Sequence, residues 1–251
     1  MDMKKHCLWP IAGLFFLIFC LLDLSGCLWA DGLHRAVKPA LLPLLSLTSI
    51  LYLLERSLCR YSPDTDSYLL PESGALTAAD RREIGLLVGA QLLGCAGDVL
   101  LMGEGFPFFA GGIGAFLLGH VCYLCLFGMF SWDGLNWKQW CLAFAGMAAL
   151  VICLIVVIGV NGALLPPMAV YGFALALLMF SGLAGVLRIG GPTWWIIFCG
   201  GVLFTFSDSL IAMESFGKAN FALRGVTIMF TYLLAQSLLA TGAIRLIQDR
   251  R

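Results

Sequence analysis

The sequence predicts an all-α integral membrane bundle of eight transmembrane helices, and three observations predict it. Of the 251 residues, 61% are hydrophobic and 12% charged, with a mean hydropathy of +0.94. A soluble domain carries about 25% charged and about 45 to 50% apolar residues, so a water-soluble globule is excluded. The apolar residues also fall into eight stretches, each near the ~20 residues that cross a bilayer as helix, with short polar or Gly/Pro breaks between them. Lys and Arg are shared unequally between the two sets of connections, eleven on the side of the termini and four on the other. Because positive charge is retained in the cytoplasm, that bias orients both termini to the cytoplasmic side.

The spans are read as 8–29, 36–54, 84–102, 107–130, 139–160, 166–187, 193–213 and 222–246. The first follows Lys4-Lys5 and ends in Leu24-Ser25-Gly26-Cys27, the pattern of a lipoprotein signal. Asp23 interrupts its apolar run, and removal would leave seven helices of inconsistent sidedness, so it is kept as a helix with Asp23 at the interface. The second carries Lys38-Pro39. The third has the G-x-x-x-G pair Gly85/Gly89 with Gly94 and Gly97, and closes on Asp98; the fourth continues the small residues with Gly111, Gly112, Gly114 and Gly119. Such residues let helix backbones approach closely where lipid gives no hydrophobic drive for association. The fourth also carries His120 and Tyr123, one turn apart. Trp137 and Trp140 open the fifth, Tyr171 lies early in the sixth, Trp194 and Trp195 open the seventh, and Asp208 lies near its end. Arg224 begins the eighth, which holds Tyr232 and Gln236 at i, i+4. The tryptophans are expected mostly as interfacial anchors.

The whole chain, 1–251, reads as one transmembrane domain. Its one long connection, 55–83, holds Pro63, Asp64, Asp66, Pro71 and Glu72 and is expected to be a mobile cytoplasmic loop. Zero net charge and no basic run beyond paired residues at the ends exclude a nucleic-acid partner. Eight of the ten cysteines fall inside spans, which is not a disulfide framework. Cys122 and Cys125 accompany His120, but no second Cys/His pair completes a metal site, so packed thiols are expected and no metal.

An ionisable side chain inside a span costs about 2.5 to 3.5 kcal/mol on insertion scales and is functional by default. With odd helices running outward and even ones inward, Asp98 and Asp208 lie at outward ends. Lys38, Tyr171 and Arg224 lie at outward starts, and His120 and Tyr232 somewhat deeper. Six helices therefore bring polar groups to the same half of the membrane. The alternatives are structural: Asp98 paired with Lys38, Asp208 paired with Arg224, and Gln236 as interhelical glue. Two carboxyls buried together tend to share one proton at neutral pH, which supplies an acid and a base. Such a pair suits a reaction through an oxocarbenium ion, and equally a proton-coupled lipid or small-molecule transporter. A zinc amidase built on His120 is disfavoured because no second histidine lies within the spans.

Lys38-Pro39, Gly97-Asp98, Gly119-His120 with Tyr123, Tyr171-Gly172, Ser207-Asp208, and Arg224 followed by Thr231-Tyr232 and Ala235-Gln236 form an ordered series over helices two to eight. The series resembles that of the YhhN-like lysoplasmalogenase family. The resemblance implies a multi-pass enzyme that hydrolyses the vinyl-ether bond of lysoplasmalogens to a fatty aldehyde and glycerophosphoethanolamine or glycerophosphocholine. By matching motif it makes Asp98 and Asp208 the catalytic candidates. Lys38, His120, Tyr123, Tyr171, Ser207, Arg224, Tyr232 and Gln236 become the substrate-binding surround, with Arg224 and Lys38 on the phosphate. It implies a lysophospholipid substrate, and a reaction run by the two carboxyl groups requires no cofactor. The membrane is that of the endoplasmic reticulum in a eukaryote or the inner membrane in a bacterium, and the cysteine-rich spans favour the eukaryotic source. Leu233, where relatives often have a second Tyr, and Gly94-Cys95 depart from the pattern beside the key residues.

Overall fold

The chain forms eight long helices, α1 Trp9–Trp29, α2 Asp31–Leu58, α3 Ala78–Leu101, α4 Phe106–Ser131, α5 Trp137–Ile158, α6 Leu165–Arg188, α7 Pro192–Ser215 and α8 Arg224–Asp249. The computed structural model describes residues 8–58, 60–62, 67–69, 77–218 and 221–250. All eight helices are long and apolar enough to cross a membrane, and large apolar side chains cover their outer faces. The protein is an integral, multi-pass membrane protein.

Helix ends extend past the hydropathic stretches because end chemistry, not hydropathy, sets them. Thr77 and Asp80 exchange side-chain and backbone bonds in a capping box, so α3 starts six residues before the apolar run expected at 84. Asn136 and Gln139 do the same for α5. α1 has no cap of its own; the Glu55 carboxylate, near the far end of α2, accepts from the amides of Leu8 at 2.6 Å and Trp9 at 3.3 Å. Only Ala30 separates α1 from α2. In the connection 55–83, α2 continues to Leu58, and β1 Arg60–Ser62 pairs antiparallel with β2 Ser67–Leu69. The rest of that connection, 59, 63–66 and 70–76, lies outside the described residues.

The packing order gives a closed ring. α1 packs on α2, α2 on α3, α3 on α4, α4 on α6, α6 on α7, α7 on α8, and α8 returns to α1, α2 and α3; α5 packs outside, chiefly on α6. The first turns of α1 and α3 and the last turns of α2 and α8 meet at one face, where Arg250 pairs with the buried Glu83.

Small residues set the close approaches, though not all those expected. An added Cβ at Gly119 would meet the Ala90 carbonyl oxygen at 3.0 Å, and one at Gly97 would enter the Phe116 ring. Gly85 and Gly114 face open space instead. Gly119→Val should therefore force α3 and α4 apart, at an overpacking cost of about 1 to 3 kcal/mol. The thermal midpoint of the detergent-solubilised protein is expected to fall, while Gly114→Val leaves it unchanged. Trp194 departs from the interfacial expectation: Gly185 lacks the Cβ that would overlap its ring, so the indole packs into the α6–α7 interface and is buried. Trp29, Trp137 and Trp195 are exposed, as anchors would be.

Candidate active site

α2, the first element of the ring wall, contains Pro39 and Pro43. Pro43 has no amide hydrogen, so the Pro39 carbonyl four residues earlier loses its helical donor. The Cys95 thiol of α3 donates to that carbonyl at 3.2 Å. The bond joins α2 to α3 one turn from Asp98, and Lys38 reaches the same carboxylate: its Nζ lies 3.3 Å from Asp98 Oδ1. The Tyr232 hydroxyl of α8 donates to Asp98 Oδ2 at 2.8 Å. Asp98 is 3% exposed, so an unpaired charge there would carry a large desolvation cost; a cation and a phenol divide its two oxygens.

Asp208 of α7 is 8% exposed and has different company. The Tyr171 hydroxyl of α6 donates to its Oδ2. The Tyr171 ring meets the His120 ring edge to face at 5.5 Å, and Phe204 holds the other flank of His120 at 4.7 Å. His120 Nδ1 lies 2.6 Å from the Phe116 carbonyl oxygen. A carbonyl can only accept, so Nδ1 carries the hydrogen, which fixes the tautomer of a neutral ring and makes Nε2 its acceptor. That Nε2 is buried without a hydrogen-bond partner.

Residues expected around the substrate sort into three positions. Lys38, Tyr171, Tyr232 and His120 belong to the two carboxyl groups or lie beside them. Tyr123 donates to Gln236 Oε1 at 2.9 Å within the ring, and Gly94 leaves room for the Leu42 side chain beside them. Ser207 donates to the Ile228 carbonyl at 3.0 Å and ties α7 to α8. Arg224 lies at the edge, 2.7 Å from Glu214 Oε1, both partly exposed. The structural pairing weighed for Asp98 with Lys38 is thus present, while the ion pair of Arg224 is with Glu214.

Two features escaped the sequence reading. Gln91 is 0% exposed, and neither its amide nitrogen nor its oxygen has a partner. It precedes Asp98 by seven residues, two helical turns on the same face of α3, and that spacing was the available signal. Asp23 is fully buried against the first turn of α2, and His34 Nδ1 lies 2.9 Å from its Oδ1. Here the signal was a histidine placed just after a one-residue helix break.

Two small cavities flank Asp208, with room of about 30 and 40 Å³ for a water-sized sphere. Met168, Tyr171, Asp208 and Ala212 line both; Phe109, Ile113 and Phe116 are among the other walls of the first, and Val151, Ile155 and Leu175 among those of the second. Asp98 lines neither. One carboxyl therefore borders small, mostly apolar cavities, and the other is held by a cation and a phenol within the ring.

The chain is similar to "Lysoplasmalogenase TMEM86B" of Mus musculus, 32% identical over 161 residues, which is 64% of this chain and 64% of that protein. It is also similar to the protein of the same name from Rattus norvegicus, 31% identical over 161 residues, 64% of this chain and 62% of that one. The chain thus spans less than two thirds of the length of these relatives. No solved structure matches it. The family model described as YhhN matches residues 33–243, from the first turn of α2 into α8 and so across every side chain around the two carboxyl groups: the chain belongs to the YhhN family.

Proposed function

We propose that the protein is a lysoplasmalogenase, an enzyme that hydrolyses the vinyl-ether bond of 1-alkenyl lysophospholipids to a fatty aldehyde and the glycerophosphodiester. The observation that carries the reading is the inequality of the two carboxyl groups: Asp98 shares its site with the Lys38 cation, whereas Asp208 accepts from the Tyr171 phenol and faces the apolar cavities. The relatives' name supplies the substrate class.

In this reading the alkenyl chain lies among Phe109, Ile113 and Met168 with its vinyl ether at Asp208. Asp208, as the carboxylic acid, gives its proton to the vinyl β-carbon; the double bond becomes a C–H bond and the α-carbon becomes an oxocarbenium ion. Asp98, as the carboxylate, stabilises that cation and takes a proton from the water that adds to the α-carbon. The resulting hemiacetal collapses: its hydroxyl proton passes to the glycerol oxygen, the C–O bond breaks, and aldehyde and alcohol leave. Transfer of the proton from Asp98 back to Asp208 resets the pair. Tyr171 and Tyr232 hold the carboxyl groups in place rather than the headgroup. His120 Nε2, an open acceptor, binds the glycerol hydroxyl or the attacking water. Arg224 at the ring edge exchanges Glu214 for the phosphate, a charge-assisted contact. The reaction needs no group beyond these side chains and water. The charge bias of the connections supports an orientation with both termini cytoplasmic.

The test is aldehyde release by the detergent-purified protein from a vinyl-ether lysophospholipid, beside its saturated-ether and ester analogues. Aldehyde is expected from the vinyl ether alone, because only its β-carbon can be protonated to an oxocarbenium ion. Folded protein that releases none, but moves the lipid across liposomes unchanged, would overturn the enzyme reading in favour of a transporter.

A further inference from the structure

We propose that Asp23, Cys27 and His34 form a binding site for a divalent transition cation of the zinc type, at the face of the membrane opposite the termini. None of the three takes part in the proposed hydrolysis. Asp23 and Cys27 lie one turn apart near the end of α1, and His34 lies in the first turn of α2. The single-residue break at Ala30 folds α2 back on α1, and Gly26 permits the approach: a Cβ there would meet the His34 backbone nitrogen at 2.5 Å and its Cα at 2.9 Å. His34 is thereby set over the one face of α1 that carries both the carboxylate and the thiol.

The ligand atoms already have nearly the spacing of a coordination sphere. Cys27 Sγ is 3.3 Å from His34 Nδ1, which is 2.9 Å from Asp23 Oδ1, and one ligand atom from each residue lies within 4.8 Å of the other two. Tetrahedral zinc, with bonds of about 2.3 Å to sulfur and about 2.0 to 2.1 Å to nitrogen or oxygen, separates its ligand atoms by about 3.3 to 3.6 Å. Outward shifts of a few tenths of an ångström would admit the ion.

The second oxygen of Asp23 supplies an independent indication. The residue is wholly buried, yet Oδ2 has no hydrogen-bond partner, although a buried carboxylate oxygen without one is costly. A cation coordinated by both carboxylate oxygens would satisfy it. The charges balance as well: one carboxylate, one thiolate and a neutral imidazole neutralise a dication, so the occupied site carries no net charge into a low-dielectric wall. Binding releases the thiol proton, and any proton on the imidazole, to solvent. Three protein ligands leave a fourth position for water. Gly225 of α8 closes the side next to Cys27, where an added Cβ would touch the Cys27 Cβ at 3.8 Å. His34 is partly exposed and gives the ion a route from the aqueous face.

The experiment titrates Co²⁺, the spectroscopic stand-in for zinc, into the full chain purified in detergent and stripped with a chelator. Zinc is then added to displace it. One equivalent per chain is expected, with a thiolate-to-cobalt charge-transfer band in the near ultraviolet. Cys27→Ser should abolish the band and Cys122→Ser, on α4, should retain it. His34→Gln and Asp23→Asn should each weaken cobalt binding at least tenfold while remaining monodisperse. Zinc should raise the thermal midpoint of the wild type and not that of Cys27→Ser, a reading that does not require hydrolytic activity. Folded wild type that binds no stoichiometric cobalt would overturn the proposal, as would a charge-transfer band that survives Cys27→Ser.

Discussion

Asp208→Asn is expected to lower the rate of aldehyde release by about 10² to 10⁴, the usual contribution of a positioned general acid, with little loss of stability. An amide oxygen can still accept the Tyr171 hydroxyl, and the ion pair of Lys38 with Asp98 is retained. What disappears is the transferable proton beside the apolar cavities. The measurement is steady-state aldehyde release with folding monitored in parallel, and it should show a fall in kcat with KM nearly unchanged, because the chain-binding walls at Ile113 and Met168 are untouched. Activity within tenfold of wild type would remove Asp208 as the acid. Asp98→Asn is a less selective probe, because it strands Lys38 inside the ring and mixes a loss of chemistry with a loss of stability.

That asymmetry between two aspartates was not legible in the sequence. Hydropathy and length predicted the eight spans because the bilayer imposes both on every segment. The depth of polar residues predicted that Lys38, Asp98, His120, Tyr171, Asp208 and Tyr232 share one half of the membrane, because alternating helices fix depth once their ends are known. Which side chain meets which depends on rotation about each helix axis, and a span that is apolar nearly all round carries little record of its rotation. Hence the pairing of Tyr171 with Asp208 and of Tyr232 with Asp98 emerges only in the fold. Gln91 and Asp23 were missed for a related reason. An amide deep in a long apolar run hardly changes its average, and an acid near a helix end reads as interfacial until a neighbouring helix, here the first turn of α2, is folded over it.

Lys38→Met should destabilise the protein by about 3 to 5 kcal/mol, the cost of leaving one member of a buried ion pair behind, and should lower activity as well. Methionine keeps the unbranched stem and its packing, so the loss isolates the charge. Asp98 would then retain only the Tyr232 hydroxyl at 2.8 Å among apolar neighbours. The double variant Lys38→Met with Asp98→Asn removes both charges and should regain most of the stability, since exchanging a whole buried pair for neutral groups of similar volume is often neutral or favourable. The coupling free energy from the cycle should therefore be about 3 kcal/mol or more, since the double variant recovers what each single variant loses. Activity should not return with stability, because the carboxylate that faces the oxocarbenium ion is absent from the double variant. Strict additivity in the thermal midpoints would mean that Lys38 and Asp98 do not form the pair. Recovery of both stability and turnover would mean that the pair is structural and that Asp98 takes no part in the reaction.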